Sequence, residues 1–471
     1  MRVLFLQSLT YPFIGIMSIA AVLKKGGHQT RLHFLDFNRP AVRDFQEIRT
    51  FAPGIIAIPV YTGWQRGILK FCRQLKDKLG APVILGGPHP TYCPEILAEE
   101  VVDYLCVGEG EIAFPELVKR LENGQPAVDI PGIWLKQNGV IIRNGAAQLP
   151  HLPDLPPMDI DLYCRASETI RRQENREFSL NRGCPFRCTY CNEPSLRALY
   201  GREVVRSKTV DQALEEIQVV RAKYPFKSVF FASDNFFLEK EFALQFLPRY
   251  KREIGVPFSC QMRVEFIDAE VARLLWESGC DRVAVGVESG SPRVRREILG
   301  RPMSNEALIR GCRLLQVKGI KVHTFNMIGI PGETFAEALE TVKLNIAINP
   351  TASGCSFFQP YPGTRITEKL LEAGIITWEI FDHLPATFYK RSALIKQNEH
   401  QWTNLHRLFQ LMVLYPRLAR FAGSLCKIRI PRVFDPIFAL TFYRYVRLAY
   451  NKGPLEALEK ILTNALEAQR A

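Results

Sequence analysis

The chain has 471 residues, 47% of them hydrophobic and 23% charged, a balance that excludes a disordered or fibrous polymer and predicts two or three globular domains. Twelve cysteines in so long a chain, three of them packed into residues 184–191, point to metal ligation and reduced thiols in the cytoplasm rather than to a disulfide framework. The formal charge of +13 would suit an anionic substrate, lipid or nucleic acid, and its distribution along the chain decides between them.

Met1 to Leu23 begins like a secretory leader, with Arg2 ahead of an apolar run. Gln7 and Pro12 interrupt that run and Lys24-Lys25 stands where cleavage would occur, so a strand, a loop and a helix fit better. The longest clean apolar stretch, Phe13 to Leu23, is well short of the roughly 20 residues of a membrane helix, and a soluble protein is expected. Short apolar runs at 3–6, 30–36, 54–60, 82–87 and 104–108 then alternate with helical patterns, the signature of a doubly wound, Rossmann-like parallel sheet over residues 1–140. Four prolines in PHLPDLPPMDIDLY, 150–163, mark a linker or a wrapped connection, placed at 141–175.

From residue 176 to 365 six further strands are predicted, at 177–181, 228–232, 257–263, 282–288, 321–329 and 354–359. Between them lie helical patterns whose starts are read as capped by Asp211, Asp268, Ser304 and Thr334. Six βα units predict a partial (β/α)6 barrel of the TIM type, so the overall class is α/β. Residues 366–471 read as a helical, basic and aromatic extension without a repeat.

NRGCPFRCTYC follows the first barrel strand, which puts Cys184, Cys188 and Cys191 at the carboxyl-terminal mouth where βα loops build active sites. Three thiolates on one short loop can take three irons of a cubane and leave the fourth open to a small ligand. A structural zinc site would want four ligands in closed pairs, and the chain offers neither a second CxxC nor an HxxxH partner.

Over about 176–365 this pattern resembles the radical S-adenosylmethionine superfamily, in which the CxxxCxxC thiolates ligate a [4Fe-4S] cluster. The resemblance implies that the open iron chelates the methionine amino and carboxylate groups of S-adenosylmethionine, which is then cleaved to a 5′-deoxyadenosyl radical. It also implies that Tyr190 packs near the adenine. Asp234 and Asn235 stand where such barrels often carry Gly-Gly-Glu, Gln261 and Arg263 share one face of a strand, and Glu288 and Ser289 close another. Gln261, Arg263, Glu288 and Ser289 match positions that bind the cofactor's ribose and carboxylate, the alternative being a barrel salt bridge between Arg263 and Glu288, while Asp234 and Asn235 depart from the pattern that meets the methionyl amine. NMIGIPGET resembles the loop whose backbone meets the adenine, with Gly329 and Gly332 allowing close approach.

In the first domain Tyr61-Thr62, Gly86-Gly87 and Gly108-Glu109 each end a predicted strand, where a flat ligand can approach the backbone. No GxGxxG opens a helix, which disfavours a dinucleotide. The order LGGPHPT, VD, GEGE and PGIW resembles the cobalamin-binding domain that precedes the radical barrel in one large branch of the superfamily. The DxHxxG motif for the lower cobalt ligand is absent, since Asp36 is followed by Phe37 and Asn38, and His89, between two prolines, reads as a loop residue rather than a substitute.

The expectation is therefore a cobalamin-dependent radical methyltransferase acting on an unactivated centre of a small molecule, with flavodoxin or ferredoxin as electron donor. The alternatives are a cobalamin-independent or non-methylating radical enzyme, and a non-enzymatic iron–sulfur carrier or nucleic-acid binder. From Trp402 to Lys452 nine basic residues face one acid, Asp435. With their interleaved aromatics they read as a cap packed on the barrel, a peripheral contact with anionic lipid, or a single-strand contact, and nucleic acid is not expected.

Overall fold

The computed structural model describes residues 1–201, 204–385, 387–389, 391–395 and 397–450, together with 453, 457, 458 and 461. Lys452 and most of 451–471, part of the basic extension, lie outside the described residues.

Alternation of side chains builds the first sheet. In β1 (Arg2–Gln7), Val3 and Phe5 enter one apolar cluster while Leu4 and Leu6 enter another, so both faces are buried. Beside it run β2 (Gln29–Phe34), β3 (Ile55–Pro59), β4 (Val83–Gly86) and β5 (Tyr104–Cys106), all parallel. A hairpin of β6 (Ile133–Gln137) and β7 (Val140–Arg143) closes the edge antiparallel, giving the order β2-β1-β3-β4-β5-β6-β7. The strand order reverses between β1 and β3, and doubly wound sheets bind ligands at the carboxyl edge of that switch point.

The proline-rich segment wraps this sheet. Asp159 N donates to Met17 O at 3.1 Å, the Tyr163 hydroxyl donates to Gln7 Oε1 at 2.7 Å, and Tyr163, Cys164 and Ile170 join the cluster that holds Phe5 and Phe114.

The second sheet is parallel throughout, in the order β15-β14-β13-β12-β11-β8. Its strands are β8 (Asn175–Phe178), β11 (Ser228–Phe231), β12 (Phe258–Met262), β13 (Cys280–Glu288), β14 (Lys321–Ile328) and β15 (Ala352–Phe357). β9 (Asn181–Arg182) and β10 (Arg206–Ser207) form a separate antiparallel pair. β8 and β15 do not pair, which leaves the barrel open as six βα units require. Cys260, Cys280 and Cys312 lie in its outer core.

Asp268, Ser304 and Thr334 cap their helices as expected. Asp211 does not: Thr209 caps Val210–Lys223 by accepting from Gln212 N at 3.2 Å, and Gln212 reciprocates. A Thr-x-x-Gln box satisfies two orphan amides, so it prevails over a lone aspartate, and Asp211 instead pairs with Arg249 at 2.6 Å. In the extension, helix Glu399–Leu414 packs on β15, and Phe438, Phe442 and Tyr445 of helix Asp435–Tyr450 stack in a row against the barrel's edge. A Cβ at Gly354 would come within 2.6 Å of the Tyr445 hydroxyl.

Candidate active site between the two sheets

The cysteine loop leaves β9 at Gly183, whose φ is +87°. A Cβ there would sit 2.4 Å from the Val204 carbonyl oxygen, so only glycine lets the chain pass. Fixed partners hold the loop from several sides. Gly183 N donates to Asp234 Oδ2 at 3.0 Å, Thr189 N to Leu299 O at 3.1 Å, and Asn192 Nδ2 to Pro362 O at 2.9 Å.

Cys188 is buried and Cys184 and Cys191 are half-buried. Burial pushes the Cys191 thiol up to about 12, with Cys188 and Cys184 among the lesser causes, and raises Cys184 as well. Burial therefore favours the protonated form of Cys184 and Cys191, and thiolates in this loop need compensating charge. Two guanidiniums supply it at Cys188: Arg263 Nη1 lies 3.3 Å and Arg301 Nη1 3.9 Å from its sulfur. Among the described residues no three His, Cys, Asp or Glu side chains converge on a single-ion site. A cubane asks for something else, since each thiolate takes a separate iron.

Arg263 is further placed over the Phe186 ring at 3.7 Å and paired with Glu265 at 2.5 Å, so the Arg263–Glu288 salt bridge is not formed. Glu288 ends β13 with φ +66°; burial raises its carboxyl, and Arg301, the Tyr190 hydroxyl and Arg263 offset this in that order. Arg301 Nη1 also donates to the Tyr190 hydroxyl at 3.2 Å, while the tyrosine packs against the apolar cluster that holds Val294, Leu299 and Ile330. Asn235 is wholly buried; its Oδ1 accepts from Arg263 N at 3.3 Å and its Nδ2 has no hydrogen-bond partner among the described residues. Arg263 Nε, Arg301 Nε and Asn181 Oδ1 are buried and unpartnered in the same shell. Orphaned polar atoms gathered round one loop fit a polar ligand such as the methionyl and ribose ends of S-adenosylmethionine.

Ser289 and the glycine loop are linked by a residue not singled out from sequence, Glu333. Its Oε2 accepts from Gly329 N at 2.8 Å and Ile330 N at 3.2 Å, and Ser289 Oγ lies 3.5 Å from Oε1. Burial pushes Glu333 up to about 8. Gly329 and Gly332 have φ of +72° and +77°, a backbone that residues with a Cβ rarely adopt, and a Cβ at Gly329 would stand 2.5 Å from Ile395. Gln261 is half-buried on β12, and its carbonyl accepts from Phe236 N at 3.0 Å. Asp234, beyond holding Gly183, is raised mainly by burial, and the adjacent Glu193 is pushed up to about 7 by burial and then by Asp234.

The first domain contributes differently from the three-patch cradle read from sequence. A cavity of about 1940 Å³ opens at the β1–β3 switch point, lined there by Tyr61, Thr62, Trp64 and Asn38, and it runs to Asn192 and into the barrel. That exceeds a usual small-molecule site and leaves room for a large flat cofactor beside a substrate. Thr62 Oγ1 meets His89 Nδ1 at 3.1 Å, and burial pulls His89 down to about 4, so the ring is neutral. Gly86 and Gly87 lie behind the lining; a Cβ at Gly87 would stand 3.3 Å from Val60 O.

Gly108 and Glu109 do not face the cavity. Helix Glu193–Tyr200 brings the Tyr200 hydroxyl to 2.3 Å from where a Gly108 Cβ would be, and that hydroxyl accepts from Glu109 N at 2.7 Å. The Glu109 carboxylate pairs with Arg182 at 2.8 Å and with Arg206, while Glu111 pairs with Arg182 at 2.7 Å. These two cations flank the cysteine loop and demand carboxylates across the interface, so GEGE locks the domains together. Deeper in the barrel, His323 is buried and lines the cavity with Nε2 unpartnered, and burial pulls it down to about 3.

Residues 178–344 match the Radical SAM superfamily and residues 8–118 match the B12 binding domain. An uncharacterised methyltransferase of Pyrococcus horikoshii is 29% identical over 338 residues, covering 70% of this chain and 72% of that protein. Cytidylyl-2-hydroxyethylphosphonate methyltransferase of Streptomyces wedmorensis is 22% identical over 432 residues, 78% of this chain and 79% of that one. The structure of the radical S-adenosylmethionine methyltransferase TsrM from Kitasatospora setae, with cobalamin and a [4Fe-4S] cluster bound, shares the fold with a TM-score of 0.66 at 18% identity, over 80% of this chain and 76% of that one.

Proposed function

Because the chain belongs to the radical S-adenosylmethionine enzymes that carry a cobalamin-binding domain, we propose that Cys184, Cys188 and Cys191 hold its cluster and that it methylates an unactivated carbon or phosphorus centre of a small molecule. The observation that carries this reading is the cysteine loop itself, with two guanidiniums at the Cys188 sulfur, beside a cavity roofed by the carboxyl edge of the first sheet. The bound groups supply one-electron cleavage of a sulfonium and a transferable methyl group. The chain's own residues bind and orient. Arg263 and Arg301 offset the negative charge that three thiolates bring into a buried site. Asn235 Nδ2 and the Gly329–Gly332 backbone offer hydrogen bonds to the nucleoside and amino-acid ends of S-adenosylmethionine, with Glu333 fixing that backbone. Tyr61, Thr62 and Trp64 meet the cobalamin face.

We place the enzyme in the cytoplasm, where its twelve unpaired cysteines stay reduced and a flavodoxin or ferredoxin can deliver the electron. The test is anaerobic purification with cluster reconstitution and added hydroxocobalamin. Iron–sulfur and corrinoid absorption should appear together, and 5′-deoxyadenosine should form under dithionite. Absence of both bands from a folded protein would overturn the reading.

A further inference from the structure

The basic extension divides into a packed part and an unpacked part. Phe438, Phe442 and Tyr445 stack against the barrel edge, so this chain can bury its aromatics when the fold offers a surface. In the stretch just before them it does the opposite. Tyr415, Phe421, Ile430 and Val433 are each between 57% and 65% exposed, a density of bare apolar side chains found nowhere else in so short a described segment. Five exposed cations are interleaved with them: Arg417, Arg420, Lys427, Arg429 and Arg432. No acid occurs from 415 to 434, and the next one, Asp435, pairs with Arg407 at 2.5 Å.

The exposure is built in. Ala422, Cys426 and Phe434 from the same stretch are buried with Phe409 and Met412, which turns their neighbours outward. Asn404, wholly buried, clamps the backbone by donating from Nδ2 to Cys426 O at 3.1 Å and Ile428 O at 2.7 Å. A stretch held in this way, with apolar tips among cations that form no ion pair among the described residues, has one well-matched partner. Single-stranded nucleic acid would want aromatic platforms, but Ile428, Ile430 and Val433 have no ring to stack on a base. Branched aliphatics with Tyr and Phe at the level of a cationic ring are what an anionic bilayer surface takes up, the apolar tips entering the acyl boundary and the cations meeting phosphates. No helix among the described residues is long and apolar enough to cross a membrane, so this contact lies on the bilayer.

We propose that residues 415–433 dock the enzyme onto the surface of an anionic lipid bilayer. The contact uses none of the residues around the cysteine loop and stands independently of the methylation reading.

The test is co-sedimentation of the full chain with vesicles of equal phosphatidylglycerol and phosphatidylcholine, against phosphatidylcholine alone. The parent should associate with the anionic vesicles only, and less as salt rises. Arg429→Gln with Arg432→Gln should lower partitioning roughly 25-fold, since each surface cation contributes about five-fold. Phe421→Ser with Ile430→Ser should also lower it, while iron content and melting stay parental because both side chains are exposed. Should that pair fail to fold, Tyr415→Ser with Val433→Ser provides the apolar arm. Parental association by either the cation or the apolar variant, or none by the parent, overturns the proposal. So does binding of single-stranded RNA by a parent that ignores vesicles.

Discussion

Gly183→Ala isolates how tightly the cysteine loop is held. The backbone there is left-handed, and a methyl group would stand 2.4 Å from the Val204 carbonyl oxygen and 2.6 Å from its carbon. Gly201 offers an internal comparison, with φ +61° and nothing within 4 Å of a built Cβ. Gly201→Ala should therefore cost only the left-handed penalty, about 1–2 kcal/mol. Gly183→Ala adds a collision with rigid backbone, which by analogy with overpacked cores contributes about 1–3 kcal/mol more, for a total of about 2–5 kcal/mol. At about 2–4 °C per kcal/mol for a unit of barrel size, melting should fall by roughly 4–20 °C for Gly183→Ala and by roughly 2–8 °C for Gly201→Ala. Since Cys184 is the next residue, the strain is relieved most directly by moving that thiol. Calorimetry of both variants, with iron counted per chain after reconstitution, checks both effects. Equal melting temperatures and full iron in Gly183→Ala would refute the claim that loop geometry depends on this contact.

Alanine at Cys184, Cys188 or Cys191 should abolish 5′-deoxyadenosine formation and lower bound iron with the fold retained, whereas alanine at Cys260, Cys280 or Cys312 should leave both intact because those thiols lie in the core. Glu109→Gln removes the carboxylate shared by Arg182 and Arg206; breaking such a pair costs about 3–5 kcal/mol, and calorimetry should resolve two transitions where the parent shows one. Glu333 has its folded value raised from 4.5 to about 8, so the folded state holds the extra proton. The stability that proton represents is complete below pH 4.5 and lost as pH rises toward 8, and melting curves across this window should flatten in Glu333→Gln.

Local spacing carried most of what was legible in advance. Unbroken apolar runs such as VLFL and GIIAIPV belong to strands buried on both faces, so the parallel strands could be read from the way such runs alternate with helical patterns, and three thiols in eight residues are near enough in the chain to meet one cluster. Asp268, Ser304 and Thr334 were legible as caps because a cap acts within three residues of itself, and the Asp211 assignment failed to the same logic at Thr209.

What no local pattern holds is which strand end meets which domain. Glu109 reads as one more residue of a glycine-rich edge until Arg182 and Arg206, 73 and 97 positions away, are folded against it. Arg301 carries no motif, and it becomes a partner of Cys188 and Tyr190 only because the turn after β13 brings it across the barrel mouth from residues more than a hundred positions earlier. The sequence thus determined the kind of cofactor chemistry, through ligands adjacent in the chain. Only the tertiary structure decided which edge of the first sheet faces the cavity and which is sealed by ion pairs, because charge pairing and packing act through space.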